Sequence, residues 1–363
     1  MINIREHHGR EYGRMIKEYF NPWKVLIHEN KINQILEGRI PKPVAVEIDP
    51  ANACNLKCPW CFYNKVRQTH KEIMPREQME NLIQDLIHND INSITFTGGG
   101  EPLVNTNTVD MIEIYGNEID MAMVTNGVLI NKNNVKILVK NLKYIRISLD
   151  AFEPDTYKKM KGVDKLQTVL KNIMLLVKTR DKLNPEMQIG IAFIIHKDNW
   201  TEVHLATKAM KKMGVDYITI RPVLDSKNNI MFPKDNYTDM LTEVSYAELE
   251  ETDNFRVYAN TRRMEEVASG KKNFKTCKST PLIAIVSANQ HIYLCCQTRL
   301  LKPFEIGKIN YPNTGFFDLW NTGKHKDIID KINVSKCAAC RNGRYNEIIE
   351  SVFEEDYMHR SFI

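Results

Sequence analysis

Three cysteines, Cys54, Cys58 and Cys61, fall within eight residues of the stretch D-P-A-N-A-C-N-L-K-C-P-W-C-F-Y, Asp49 to Tyr63. Thiolates are soft ligands that favour iron–sulfur clusters or zinc. No fourth cysteine or histidine stands beside them, and a structural zinc site wants four closed ligands. Three thiolates on one loop would instead hold three irons of a 4Fe–4S cluster and leave one iron open to a ligand. The plainer alternative is half of a zinc site completed by a distant residue. The surrounding elements have to decide between them.

Those elements alternate in type. Short apolar runs occur at Val44–Ile48, Ser93–Thr97, Met121–Thr125, Tyr144–Leu149, Gln188–Ile195 and Tyr217–Pro222. Helical spacing of apolar residues fills the intervals, near Arg76–His88, Thr106–Tyr115, Lys132–Lys140, Asp164–Lys178 and Trp200–Met213. Strands alternating with helices predict a parallel sheet with right-handed crossovers. Six units predict an α/β fold, a partial (β/α)6 TIM-like barrel over residues 44–225; pattern alone also allows a flat doubly wound sheet. In either, chemistry belongs at the C-terminal ends of the strands.

Polar motifs recur at those ends. The cysteine loop follows the first run. The second run ends T-G-G-G-E-P, the third T-N-G, the fourth S-L-D-A and the sixth I-R-P. Gly98, Gly99 and Gly100 would let backbone approach a ligand, because glycine lacks a side chain; a tight turn is the plainer reading. Glu101 offers a partner for an ammonium group. Ser148 and Asp150 alternate along a strand and so point the same way. They suit a ribose, or else cap the strand. Asn126 with Gly127 could equally form a turn. Arg221 could neutralise a carboxylate or make an ordinary ion pair.

Taken together, the cysteine loop with its aromatic Trp60, the Gly-Gly-Glu-Pro motif and Ser-x-Asp resemble the radical S-adenosylmethionine (radical SAM) superfamily over roughly residues 44–225. The resemblance implies that Cys54, Cys58 and Cys61 ligate a 4Fe–4S cluster that binds S-adenosylmethionine. It implies that Gly99, Gly100 and Glu101 hold the methionine amino group. Ser148 and Asp150 would meet the ribose or the methionine end, and Gly190 and Ile191 would lie near adenine. A low-potential electron donor such as flavodoxin or ferredoxin follows from the same resemblance.

Five more cysteines lie beyond Arg221. Cys277 precedes a hairpin signal, L-I-A-I-V, S-A-N-Q, H-I-Y-L-C-C, which ends on Cys295 and Cys296; Cys337 and Cys340 form a late Cys-x2-Cys pair. Cys277, Cys295, Cys337 and Cys340 could hold a second metal centre, with zinc as the structural alternative. Their order resembles the Twitch form of the SPASM-like domain, which implies one auxiliary 4Fe–4S cluster in a small α+β metal-binding domain at 277–363. Residues 1–43 read as a helical extension, with apolar periodicity at Arg10–Tyr19 and Trp23–Leu36, and 226–276 as a connecting segment. Within it, Tyr246–Asn254 and Arg262–Ser269 look helical, and polar chain at 223–245 reads as a substrate lid or a linker. A last helix is expected over about Arg344–Tyr357.

The chain has 363 residues, 43 % hydrophobic and 26 % charged, which is ordinary for a globular protein. No apolar run approaches the roughly 18 residues of a membrane span. The polar N-terminus lacks a signal peptide's apolar core. A cytoplasmic protein is therefore expected, with eight cysteines used for metal or catalysis rather than disulfides. A net charge of +5 with no basic tract interleaved with aromatics gives no reason to expect nucleic-acid binding.

Two outcomes follow from the implied radical chemistry. A substrate radical could lose an electron to the auxiliary cluster, as in 2-deoxy-scyllo-inosamine dehydrogenases, giving net oxidation of a sugar, an aminocyclitol or a peptide. Alternatively Cys296, left over from the ligand set, could return a hydrogen atom, as in radical SAM epimerases. Cyclisation of GTP is disfavoured because that family's C-terminal Gly-Gly is absent. A different class of protein, a non-catalytic zinc-binding module, would use the same cysteines.

Overall fold

The computed structural model describes residues 20–64, 69–224 and 231–354. Expectations for Arg10–Tyr19, for 225–230 within the proposed lid and for the last helix beyond residue 354 lie outside the described residues. Ten strands are present among the described residues: β1 (Ala45–Ile48), β2 (Ser93–Phe96), β3 (Asp120–Thr125), β4 (Tyr144–Ser148), β5 (Gln188–Ile195), β6 (Tyr217–Pro222), β7 (Arg256–Ala259), β8 (Ile283–Val286), β9 (His291–Tyr293) and β10 (Glu305–Lys308). They form one open sheet in the order β10-β9-β8-β1-β2-β3-β4-β5-β6-β7. From β8 through β1 to β7 every pairing is parallel; β8–β9 and β9–β10 are antiparallel. The fold is α/β, a partial TIM-like barrel.

Twelve α-helices accompany the strands among the described residues. They are α1 (Glu29–Leu36), α2 (Arg76–His88), α3 (Asn107–Tyr115), α4 (Val135–Asn141), α5 (Pro154–Lys161), α6 (Leu166–Leu183), α7 (Val203–Lys212), α8 (Tyr237–Glu248), α9 (Thr261–Ser269), α10 (Phe316–Leu319), α11 (Gly323–Asp330) and α12 (Gly343–Ile349). Helix α2 shows why the sequence does this. Met79, Leu82, Ile83 and Leu86 recur at helical spacing and are all buried in the main core with Val46 and Ile48 of β1. Each such side chain contributes roughly 1.5–3 kcal/mol on burial. Between Val46 and Ile48, Glu47 points to the opposite, inner face of the sheet.

The sheet runs through both boundaries expected from sequence. The segment 226–276 supplies β7, which pairs with β6. The hairpin after Cys277 is not a separate layer, because β8 pairs in register with β1. Helix α12 is tied back to the N-terminal side through Ile348 and Ile349, which pack with Val25, Ile32 and Leu282. No helix among the described residues is long and apolar enough to cross a membrane.

Candidate active site

The loop carrying Cys54, Cys58 and Cys61 leaves the C-terminal end of β1 and is fixed from several sides. Asp49 N donates to Val286 O of β8 at 2.8 Å, and Met74 N to Pro50 O at 2.9 Å. The Asn105 amide spans Pro50 O and Met74 O at 3.0 and 2.9 Å. The glycine run after β2 lies flush on the loop: Gly100 N donates to Ala51 O at 3.1 Å and Glu101 N to Ala53 O at 2.9 Å. A Cβ on Gly100 would sit 2.0 Å from Ala53 O, and one on Gly99 would sit 2.7 Å from Asn52 Oδ1. Only glycine permits this approach.

The other wall is the end of α5. Lys57 N donates to Lys161 O at 3.0 Å, and the Trp60 indole N–H to Met160 O at 2.9 Å. Gly162, with φ +71°, ends the helix against Lys57 O. Lys161 is 1 % exposed, and its ammonium is ion-paired with the fully buried Asp150. That ammonium lies 5.6 Å from the centre of the Trp60 ring. Burial pushes the Cys58 thiol up to about 11, while Lys161 pulls the other way and Cys61 and Cys54 add to the rise. Cys58 thus senses both of the other thiols. Leu56 N also donates to Cys54 Sγ at 3.5 Å.

Glu101 and Asp150 have different surroundings from those the sequence suggests. Glu101 is 1 % exposed. Its Oε1 accepts from Thr125 Oγ1 at 2.6 Å and Leu103 N at 3.2 Å, and its Oε2 accepts from Asn126 N at 2.8 Å. Burial raises its pKa against these donors. Glu101 thus joins the ends of β2 and β3. The Asn126 amide reaches the loop through Asn55 Oδ1 at 2.7 Å. Strand β4 stops at Ser148, and Asp150 turns with φ +61°, a conformation that Asp tolerates better than most residues. Its Oδ1 accepts from Ile194 N at 2.9 Å and its Oδ2 meets Lys161. The expected Ser148–Asp150 pair on one strand face is therefore not formed, and Asp150 is engaged within the protein. Gly190 and Ile191 lie on β5. Ile191 is buried in the outer core, and the Tyr217 ring covers Gly190, where a Cβ would sit 2.0 Å from the ring.

The inner face of the sheet carries charge that the reading missed. Arg299 Nε meets Asp49 Oδ2 at 2.6 Å, and its Nη2 meets Glu47 Oε2 at 3.2 Å. Its Nη1 donates to Tyr63 Oη at 3.1 Å, and the Tyr63 hydroxyl donates in turn to Cys296 O. Arg341, beside Cys340, pairs with Glu47 Oε1. One network, buried except for the 40 % exposed Arg341 side chain, thus joins β1, the three-cysteine loop and the C-terminal cysteines. The signal was present in sequence: Glu47 and Arg146 are charges inside apolar runs of a parallel sheet, whose strands are otherwise near-continuously hydrophobic.

The C-terminal cysteines come from three segments. Burial pushes the Cys340 thiol up to about 12, with Cys277 adding to the rise, and Cys277 is also raised by burial, with Cys337 contributing. The Cys295 thiol hydrogen-bonds Cys296, which raises Cys295 well above its usual range and lowers Cys296 to about 6. Cys296 senses Arg341, Glu47 and Arg299 of the inner face, whereas Cys295 senses Cys277. All eight cysteines are free thiols. Among the described residues no three Cys, His, Asp or Glu side chains converge as a single metal ion requires. A four-iron cluster is wider, and each thiolate binds a different iron. The donor set and the spacing of the first loop fit such a cluster. Arg221 lies on β6 with its Nε buried and without a partner, and burial lowers it to about 9. The described start of the proposed lid lies at the same end of the sheet, since Lys197 N donates to Met231 O at 2.8 Å.

Residues 48–206 match the family described as the radical SAM superfamily. The chain is 35 % identical over 133 residues to GTP 3′,8-cyclase of Alkaliphilus metalliredigens (strain QYMF), across 35 % of this chain and 41 % of that protein. It is 26 % identical over 288 residues to a probable GTP 3′,8-cyclase of Thermococcus kodakarensis, across 70 % of this chain and 92 % of that protein. The chain spans about half the length of the first such relatives. Its fold is similar to that of Streptococcus suis SuiB bound to S-adenosylmethionine, with TM-score 0.66 and 15 % identity over 97 % of this chain and 84 % of that one. It is also similar to anSMEcpe with bound AdoMet, with TM-score 0.61 and 21 % identity over 84 % of this chain and 88 % of that one.

Proposed function

We propose, from the match of residues 48–206 to the radical SAM superfamily, that the protein binds a 4Fe–4S cluster and S-adenosylmethionine and removes hydrogen from an unactivated carbon of a small-molecule or peptide substrate. The observation that carries this is the three-cysteine loop at the strand ends, with the glycine run packed flush against it. When bound, the cluster and S-adenosylmethionine supply a 5′-deoxyadenosyl radical; the protein positions and shields it. Cys54, Cys58 and Cys61 hold the cluster. Gly99 and Gly100 present backbone to the methionine end, and Glu101 fixes the β2 and β3 ends around it. Lys161 and Asp150 form the buried floor under Cys58.

In this reading Cys277, Cys295, Cys337 and Cys340 hold a second 4Fe–4S cluster, and the outcome is net oxidation. The mutual influence of these thiols on one another supports the assignment. A second reading is favoured by one feature. Cys296 lies outside that ligand set, and its carbonyl accepts from the Tyr63 hydroxyl at the end of the three-cysteine loop, which suits a hydrogen-atom donor in an epimerase. The relatives' printed activity, a GTP cyclisation, supplies the third product class.

The test is anaerobic reconstitution of the full chain, followed by iron analysis and assay of 5′-deoxyadenosine from S-adenosylmethionine and dithionite. Iron content matching two four-iron clusters, with 5′-deoxyadenosine formation abolished by Cys58→Ala, is expected. A colourless zinc protein, or undiminished cleavage in that variant, would refute the reading. Once a substrate is found, an oxidised, inverted or cyclised product separates the three outcomes.

A further inference from the structure

Charge is spread unevenly along the chain. Two stretches carry three of the C-terminal cysteines: K-K-N-F-K-T-C-K at 271–278 and K-C-A-A-C-R-N-G-R at 336–344. The first holds four lysines, the second one lysine and two arginines, and neither holds an acid. The whole chain carries a net charge of only +5, so the rest of it is net acidic. The two stretches are distant in sequence and packed together. Lys272 Nζ donates to Cys337 O at 2.7 Å. Ser279 N donates to Asn346 Oδ1 at 2.8 Å, and the Asn346 amide reaches Cys277 Sγ at 4.0 Å.

The acids beside these stretches are already engaged. Buried Glu266 holds Arg262 and Cys340 N, each at 3.1 Å. Buried Glu347 pairs with Arg262 and Arg344, each at 3.1 Å. Glu350 accepts from Lys275 N at 3.0 Å and Thr276 N at 2.6 Å. Arg341 pairs inward with Glu47. Lys271, Lys275 and Lys336 are left exposed, without a carboxylate ion pair among the described residues. Beside them Cys337 is the one exposed cysteine of the eight. A redox group held by Cys337 therefore meets solvent at a basic surface. The single aromatic within the two stretches, Phe274, is 6 % exposed, so this surface offers no ring for a nucleic-acid base to stack on. It fits an acidic protein instead, whose approach its field would steer.

We propose that this face docks an acidic one-electron carrier protein, of flavin or iron–sulfur type, which exchanges electrons through the C-terminal cysteine set. The inference rests on the reading in which those cysteines hold an iron–sulfur cluster and the outcome is net oxidation. The substrate radical then gives up one electron and one proton. The electron leaves at this face to the oxidised carrier, which is reduced by one electron, and the proton passes to solvent.

The probes are an acidic flavodoxin and an acidic 2Fe–2S ferredoxin, each titrated by calorimetry into the reconstituted full chain. Titrations are run at about 0.1 M and about 1 M ionic strength, where the screening length is ~10 Å and ~3 Å. At least one probe should bind at the lower ionic strength, and about tenfold or more weakly at the higher. The triple variant Lys271→Glu, Lys275→Glu, Lys336→Glu should weaken that binding by about tenfold or more. A control with the same change of charge at the exposed lysines of and beside α4, Lys132→Glu, Lys136→Glu, Lys140→Glu, should bind like the unaltered chain. Stopped-flow mixing of the reduced protein with the oxidised probe reads the exchange. The triple variant should slow it by about tenfold or more, and Cys340→Ala should remove it while retaining binding. Iron content, thermal midpoint and dithionite-driven cleavage of S-adenosylmethionine should be unchanged in both lysine variants. Binding of neither probe, equal weakening in the control, or tighter binding of a DNA duplex than of both probes overturns the proposal. Exchange that survives Cys340→Ala overturns the assigned route. Lysine-dependent binding without cleavage of S-adenosylmethionine by the unaltered chain sustains the docking face and refutes the enzyme reading.

Discussion

Cys54, Cys58 and Cys61 share one loop, bonded to the ends of β2 and β8 and to α5. Cys277, Cys295, Cys337 and Cys340 share no element. Cys277 precedes β8, Cys295 follows β9, and Cys337 and Cys340 lie between α11 and α12. Their ties are scattered: Lys272 Nζ to Cys337 O at 2.7 Å, Gln297 to Ala339 O at 2.8 Å, and Asn346 to Cys277 Sγ at 4.0 Å. The first set is preorganised by a sheet that exists for other reasons. The second depends on whatever its thiols bind, since a metal that joins distant segments contributes its binding energy to folding.

Paired cysteine variants give the largest effect. Cys58→Ala should lose one cluster and all 5′-deoxyadenosine formation, with little change in thermal midpoint. Cys340→Ala should lose the other cluster, retain cleavage and melt earlier. Iron analysis, the cleavage assay and calorimetric melting read all of this; loss of cleavage in both variants would break the contrast.

Next comes Lys161→Met, which leaves the Asp150 carboxylate buried without its cation. Breaking a buried pair from one side costs about 3–5 kcal/mol. Urea unfolding should show a loss of that order, and adding Asp150→Asn should recover much of it. A cost under about 1 kcal/mol, the scale of a surface pair, would mean that the floor of the first loop is not rigid.

A third effect belongs to the C-terminal region. His325 is fully buried against Trp320, with ring centres 4.3 Å apart, and burial lowers its pKa to about 4. The folded state therefore binds its proton less readily than the unfolded chain. Stability should be full above about pH 6.5 and fall as pH drops towards 4, by about 3 kcal/mol in all. His325→Phe should flatten that slope in unfolding curves taken across the window. An equal slope in the variant would remove His325 as its cause.

The smallest effect is Trp60→Phe, which removes the indole donor to Met160 O. About 1 kcal/mol is expected in urea unfolding, because one hydrogen bond among many holds the loop.

Most of the barrel was legible because apolar periodicity is local. The bounds of β5, β6 and α2 coincide with the runs read from sequence. Helix α5 was not, since P-D-T-Y-K-K-M-K is mostly polar and buries only Tyr157, Met160 and Lys161. Strand β7 was not, because R-V-Y-A is four residues long and begins with a charge. The cysteines, glycines and Glu101 declared themselves by spacing, but not how they are used. The capture of Asp150 by Lys161 depends on a helix that the pattern did not reveal. The Glu47–Arg299–Arg341 network depends on contacts across more than two hundred residues, which periodicity does not encode. For the same reason the hairpin was readable and its pairing with β1 was not.

That pairing sets a timetable during synthesis. Strand β1 emerges from the ribosome early, yet the neighbour that bonds its other edge, β8, begins at Ile283. At about 5–20 residues per second, the wait is roughly 12–48 s. Throughout it Val46 and Ile48 can already pack on α2, while an open backbone edge beside the three-cysteine loop stays available to other strands. Whatever shields that edge until the chain reaches β8 determines how much of this protein arrives folded.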